Sequence, residues 1–154
     1  MQFSTREDIE SPIETVFENL SDFDGFERQA IRRGIEVQRD RDLKPPAQGM
    51  TWAAKFNLRG KPRDLSLLLA QYERPTAIRF EADSQGLDGT LTLDLMALSK
   101  QRTRLSVVLE LKPKTLSARL LVQSFRLAKA TLSKRFKLKV AEFAKSLESR
   151  RRTS

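Results

Sequence analysis

Residues 116–152 read LSARLLVQSFRLAKATLSKRFKLKVAEFAKSLESRRR. Advancing about 100° per residue, Leu121, Phe125, Ala128, Leu132, Phe136, Val140, Phe143 and Leu147 fall on one side of a helix. Arg119, Arg126, Lys134, Lys137 and Lys145 fall on the other. Such a stretch serves as the spine of a globular domain, as a membrane-surface helix or as a nucleic-acid-binding helix, and the rest of the chain must discriminate. One uninterrupted helix over residues 115–150 would be ~54 Å long at ~1.5 Å per residue. A compact domain of this size is only ~40 Å across, for a radius of gyration of ~15 Å. The helix is therefore expected to kink, begin late or overhang, with residues 149–154 as a frayed basic tail on a single domain of residues 1–148.

Upstream, the apolar period is two rather than 3.6. Phe3, Thr5, Glu7 and Ile9 share one face of a first strand. "SPIE" at 11–14 predicts a helix start, with Ser11 as N-cap, Pro12 at the first helical position and Glu14 closing a capping box. Ile13, Val16, Phe17 and Leu20 then make a short apolar stripe. A second short helix is expected over 26–33, stopped by Gly34. From Ile35 onward "IEVQRDRDL", "MTWAAKFNLR", "DLSLLLAQYE", "AIRFEAD", "TLTLDLMAL" and "RLSVVLELK" are about six successive strands. Pro45, Pro46, Gly49, a Gly60-Lys61 turn, Pro75 and the 86–89 turn separate them. Each strand is apolar on one side, so the sheet needs one apolar cover, and the 116–152 helix supplies it.

The chain has 154 residues, no cysteine and no histidine. Disulfides, thiolate chemistry and imidazole-based catalysis or metal binding are excluded together. No apolar run near the start matches a secretory leader and none later matches a membrane span, so a cytoplasmic location is expected. The net charge of +9 is uneven. Residues 112–154 carry 13 Lys/Arg against two carboxylates, an excess of +11, whereas residues 1–111 hold 16 basic and 18 acidic side chains, or −2. The first 27 residues carry eight carboxylates against Arg6 alone, and this acidic segment is expected to match part of the basic helix. No carboxylate pair is forced into one dry site, and "SQGLDGT" lacks the spacing of a phosphate loop, leaving Gly86 and Gly89 as turn glycines.

The order of one strand, two short helices, an antiparallel meander and a long closing helix resembles the START-like helix-grip superfamily (SRPBCC), which includes polyketide cyclases and lipid-transfer domains. The residues that carry the resemblance are EDIESPIETVFENLSDFDGFE at 7–27 and LSARLLVQSFRLAKATLSKRF at 116–136. It implies an α+β helix-grip fold with a curved antiparallel sheet of about seven strands gripping the C-terminal helix around an apolar cavity. The lining it implies is Phe17, Trp52, Phe56, Leu67, Leu69, Phe80, Phe125 and Leu132. The apolar faces alone are equally consistent with solid packing.

Three further positions have two readings each. Trp52, the only tryptophan, is either a stacking wall for a flat ligand or a core residue whose N–H finds a carbonyl. Gln71 continues the Leu65, Leu67, Leu69 face, offering an amide to the cavity, or else it lies in water at a strand end. Lys129 lies within the apolar arc of the closing helix, as a cavity-facing amine that binds an anion or acts as a nucleophile, or as a snorkelling stem. Leu120, Leu127 and Leu138 lie among the basic residues, opposite the stripe, as a dimer contact, a membrane surface or a covered face. The expected function is binding or transport of a small hydrophobic ligand such as a lipid, quinone or polyketide-like ring, without cofactor or metal. The alternatives are a cyclase- or dehydratase-type enzyme using the same cavity and a binder of anionic membranes or nucleic acid. Nucleic acid is disfavoured because the aromatic residues of the helix belong to its buried stripe, so no stacking platform alternates with the charges.

Overall fold

In the computed structural model, backbone is described for residues 1–153 and side chains for residues 1–148. The order is β1 (Gln2–Ile9), α1 (Ile13–Leu20), α2 (Phe23–Arg32), β2 (Glu36–Arg41), β3 (Thr51–Leu58), β4 (Lys61–Glu73), β5 (Ala77–Ser84), β6 (Leu87–Ser99), β7 (Arg102–Pro113), α3 (Leu116–Leu127) and α4 (Lys129–Thr153). The sheet is seven-stranded and antiparallel in the order β1-β7-β6-β5-β4-β3-β2. The meander from β2 to β7 is thus continued by β1, which closes onto β7 from Gln2↔Glu110 to Ile9↔Thr103. This is the α+β helix-grip fold. The expected frayed tail, 149–154, lies outside the residues whose side chains are described.

The turns between strands follow their residues. Leu58 pairs with Lys61 and Ser84 with Leu87, leaving two-residue loops at Arg59-Gly60 and Gln85-Gly86. All four loop residues have positive φ, which the right-handed strand twist favours. The first turn is therefore centred one residue earlier than Gly60-Lys61. Gly86 is doubly constrained, because the Thr115 side chain occupies the space a Cβ would fill. Gly89 is no turn residue: it sits within β6, paired with Ala82 and Leu111.

The expected capping box does not form. Pro12 is the N-cap of α1, without a side-chain cap bond. Ser11 is drawn into the core instead. Its N–H donates to the Ile9 carbonyl at 2.8 Å, and its own carbonyl accepts from Thr103 Oγ1 at 2.8 Å. Its hydroxyl is buried without a hydrogen-bond partner among the described residues. The second helix begins at Phe23, three residues before the expected start, because Asp22 caps it by accepting from the Gly25 N–H at 3.1 Å. The closing segment is two helices. Ala128, with φ −105° and ψ 17°, ends α3, and its N–H donates to Phe125 O at 3.1 Å. The length mismatch is relieved by this break.

The core lies between the inner sheet face and α1, α2 and α4. Ile9, Val16, Phe17, Met50, Leu69, Ile78, Leu105 and Leu147 are essentially inaccessible. Phe136 of α4 packs on Phe3 of β1 with ring centroids 5.9 Å apart, and the Glu10 N–H donates to Glu148 Oε1 at 2.9 Å. Helix α4 thus runs beside the β1 edge. The N-terminal carboxylates are matched largely by arginines of the strands and of the β4–β5 turn rather than by the basic helices. Asp8 pairs with Arg104 at 2.9 Å, Glu18 with Arg74 at 3.2 Å, and Asp24 and Glu27 with Arg39 at 2.7 Å each. The hydrogen bond from Arg104 and the nearby arginines hold the Asp8 carboxyl below its ordinary value, against a smaller opposing effect of burial.

Two substitutions test this packing. Leu147→Ala should lower unfolding free energy by ~2–5 kcal/mol, as expected for a filled core position, read by urea denaturation. Ser11→Ala should be neutral or stabilising, since it removes an unpaired buried hydroxyl. A loss of ~1 kcal/mol there would instead mark an N-cap.

Candidate ligand-binding site

The inner sheet face is wider than one helix can cover. Helix α4 covers the β1–β7 side and α2 the β2–β3 side, and two adjoining cavities lie between them. The smaller, about 240 Å³, is walled by Phe23, Phe26, Glu27 and Ala30 of α2, by Ile35 and by Val37 of β2. Its floor is Trp52 and Ala54 of β3, Leu65 and Leu67 of β4 and Phe80 of β5. The larger, about 370 Å³, has Leu91 and Leu93 of β6 and Leu105 and Val107 of β7 as its floor. Its walls are Leu20 of α1 and Phe136, Lys139, Val140 and Phe143 of α4. Phe26 and Phe80 line both cavities. Phe26 also meets Phe143 at 5.9 Å, joining α2 to α4 where the two spaces adjoin.

Aromatic rings fix the floor of the smaller cavity. Phe23 packs edge-on against Trp52 at 5.4 Å and against Phe80 at 6.2 Å, and Trp52 packs on Phe80 at 6.1 Å. These are the tilted arrangements that ring quadrupoles favour. The indole N–H of Trp52 donates to Glu27 Oε1 at 2.8 Å, and the same oxygen accepts from Arg39 Nε at 2.7 Å. Arg39 reaches further, to Asp24 and Asp42. The hydrogen bond that Arg39 donates to Glu27, with those it donates to Asp42 and Asp24, raises the guanidinium pKa against a partial opposing effect of burial. The network ties α2 to β2 and holds the indole plane as a fixed wall.

Of the residues singled out in the sequence, Trp52, Leu67 and Phe80 meet at the smaller cavity. The partner of Trp52 is a carboxylate rather than a carbonyl. Phe17 and Leu69 are fully buried in solid core, Phe17 against Tyr72 at 5.1 Å. Phe56, Phe125 and Leu132 are half-buried away from both cavities, and Phe125 lies under the Arg59 guanidinium at 5.4 Å. Two placements are corrected. A bulge between Leu69 and Gln71 shifts the register, so that Leu69 pairs with Phe80 but Gln71 pairs with Arg79. Tyr72 takes the inner position, bonding Ser21 Oγ at 2.8 Å, and Gln71 turns to the outer face. Lys129 is the exposed first residue of α4, because the break at Ala128 removes it from the apolar arc.

Sequence reasoning passed over Phe23, Phe26, Glu27 and Lys139. The available signal was Asp22: as N-cap it places Phe23 and Phe26 on the inner face of α2. Glu27 follows one residue after Phe26, and Lys139 precedes Val140 of the stripe. Among the described residues, no cluster of carboxylates is arranged to hold a metal ion, and no helix is long and apolar enough to cross a membrane.

No protein-family model and no curated protein sequence matches the chain. Solved structures do match. A conserved protein from Geobacillus kaustophilus superposes with a TM-score of 0.66 at 12% identity, covering 97% of this chain and 96% of that one. The Zhui aromatase/cyclase from Streptomyces sp. R1128 gives 0.61 at 12% identity, over 87% and 89%. A START superfamily protein from Mycobacterium smegmatis gives 0.58 at 13% identity, over 87% and 95%. At such identities the likeness is one of fold, and the chain has the START-like helix-grip fold.

Proposed function

We propose that this protein binds a small hydrophobic molecule in the two adjoining cavities between sheet and helices. The observation that carries this reading is the character of their walls. Among the described residues that line them, Glu27 and Lys139 are the only charged ones, and all the others are apolar. The volumes, about 240 and 370 Å³, are of the order found for small-molecule sites, which run from ~300 to ~1,000 Å³. Apolar walls of that size, fixed by packed rings, reward burial of an apolar ligand without reorganisation.

The two charged groups have different roles in this reading. Glu27 is engaged by Trp52 and Arg39 through one oxygen, so it organises the wall. Lys139 has a long ion pair with Glu142, 3.7 Å between two largely exposed side chains, which holds its charge only weakly. That ammonium is available to an anionic group at one end of an otherwise apolar ligand. The fold likeness to an aromatase/cyclase raises a cyclase-type enzyme as the other reading. Such chemistry needs a group able to exchange protons with the substrate, and the engagement of Glu27 favours binding over turnover.

Titration with the neutral probe N-phenyl-1-naphthylamine should show saturable binding that Ala54→Phe, which fills the smaller cavity, weakens ~10-fold, or ~1.4 kcal/mol. The fluorescent fatty acid cis-parinaric acid should also bind, and Lys139→Ala should weaken it while leaving the neutral probe unaffected. Absence of saturable binding by either probe would reject the reading.

Glu27 is tested separately. Glu27→Ala strands the buried indole N–H and should cost ~1–3 kcal/mol of stability, with a change in the emission of Trp52, the only tryptophan. Glu27→Gln, which keeps an acceptor for the indole, should retain affinity for the neutral probe within ~2-fold, well under 1 kcal/mol. Loss of that affinity in the Gln variant, with folding intact, would make Glu27 a ligand contact.

A further inference from the structure

Helix α3 is apolar on two opposite sides. Its inner side buries Ala118 and Val122, with Leu121 and Phe125 half-buried beside them. Its outer side carries leucines, with Leu116 72%, Leu120 59% and Leu127 92% exposed. At about 100° per residue, Leu116, Leu120, Gln123 and Leu127 fall within an arc of ~60°. This is a continuous stripe along the whole helix, and Leu116 extends it beyond the leucines singled out from sequence. Leu138, also exposed, belongs to α4 beyond the break. Leucines scattered singly on a surface need no explanation, but a stripe of this kind marks an interaction surface.

The helix is held firmly at its other faces. Thr115 caps it, accepting from the Ala118 N–H at 3.2 Å. Arg59 of the β3–β4 turn donates to Ser124 Oγ at 2.8 Å and lies over Phe125. The outward leucines are therefore a fixed presentation.

The charges flanking the stripe select the occupant. Arg119 and Arg126 follow one edge, and Lys129 stands just past its end. From Leu111 to Ala141 there are nine Lys/Arg and no Asp or Glu. A second copy docking leucine stripe on leucine stripe would offer Arg119 and Arg126 no carboxylate on the facing helix to pair with. Nucleic acid would meet leucines at the centre of the patch rather than cations or stacking rings. A surface of anionic lipid satisfies both parts, accepting leucines at the acyl boundary and basic side chains among headgroups. We infer that α3 is a membrane-docking helix that lies in the plane of an anionic lipid surface, inserting Leu116, Leu120 and Leu127. This inference stands independently of what the cavities bind.

The 154-residue chain has no cysteine, so Gln123→Cys places a single environment-sensitive nitrobenzoxadiazole label on its stripe. Its emission should shift to the blue with phosphatidylcholine vesicles containing phosphatidylserine, not with phosphatidylcholine alone, and the shift should weaken as salt rises. In co-sedimentation, Leu120→Ser with Leu127→Ser, and separately Arg119→Glu with Arg126→Glu, should each lower partitioning by ~10-fold or more. These side chains are exposed or flank the exposed stripe, and thermal melts should stay close to that of the unsubstituted protein. The absence of a phosphatidylserine-dependent shift overturns the inference, as does unchanged partitioning of both folded double variants. A dimer seen by light scattering without lipid and dissolved by the leucine variants assigns the stripe to a second copy. Salt-sensitive binding to duplex DNA without vesicle binding assigns it to nucleic acid.

Discussion

Everything in this fold depends on how one apolar sheet face is covered. Seven antiparallel strands present a surface wider than a single helix, and exposing it to water is costly in proportion to area. Helix α4 covers the side nearest β1, where Phe136 meets Phe3, and the Asp22-capped helix α2 covers the side nearest β2. The two covers meet at the Phe26–Phe143 contact. Where both fall short, the apolar floor of β4 to β7 remains beneath open space. The cavities are thus a geometric consequence of covering a curved sheet with two narrow cylinders, and no residue type need be set aside to create them.

The same length constraint produces α3. A single helix from 116 onward would outrun the domain, and the break at Ala128 divides it into a segment on β7 and a segment beside β1. Each segment has its own inward face. In α4 the inward residues are large, ending in the fully buried Leu147. In α3 the fully buried residues, Ala118 and Val122, are small, with Leu121 and Phe125 half-buried beside them and Arg59 of the β3–β4 turn lying over Phe125. Leu116, Leu120 and Leu127 are left outside. The break also explains why Lys129 and Leu132 depart from a stripe computed for one continuous helix.

Period and turn chemistry made the strands, the two short helices and the inward residues of α4 legible, since one-sided burial imposes a spacing of two or of 3.6. The bulge after Leu69 was not legible. Nothing in LLLAQYE marks which residue the ladder skips, and one skipped residue exchanges Gln71 for Tyr72 on the inner face. The capping box at 11–14 was a sound local inference that lost to tertiary packing, as Thr103 recruits the Ser11 carbonyl and the hydroxyl is buried with it. Solid core and cavity wall were indistinguishable from sequence, because Phe17 and Phe80 both read as inward aromatics. Only the placement of α2 and α4 leaves one sealed and the other facing space.

Charge placement follows the same division of labour. The N-terminal carboxylates look, in sequence, like a counterweight to the basic C-terminal segment, yet Asp8, Asp24 and Glu27 find Arg104 and Arg39 on the sheet, and Glu18 finds Arg74 in the β4–β5 turn. Those pairs lie at the seams where α1, α2 and β1 join their neighbours. The positive excess of α3 and α4 is correspondingly left outside these seams. One member of it, Lys139, stands at the wall of an apolar cavity. Two others, Arg119 and Arg126, edge an exposed leucine stripe. A uniformly solvated basic face would place its cations without regard to apolar surface. Here cation and apolar surface are paired at two separate places, the pattern that would complement an amphipathic ligand with a negative end at the proposed cavity site and an anionic lipid surface at the proposed docking helix.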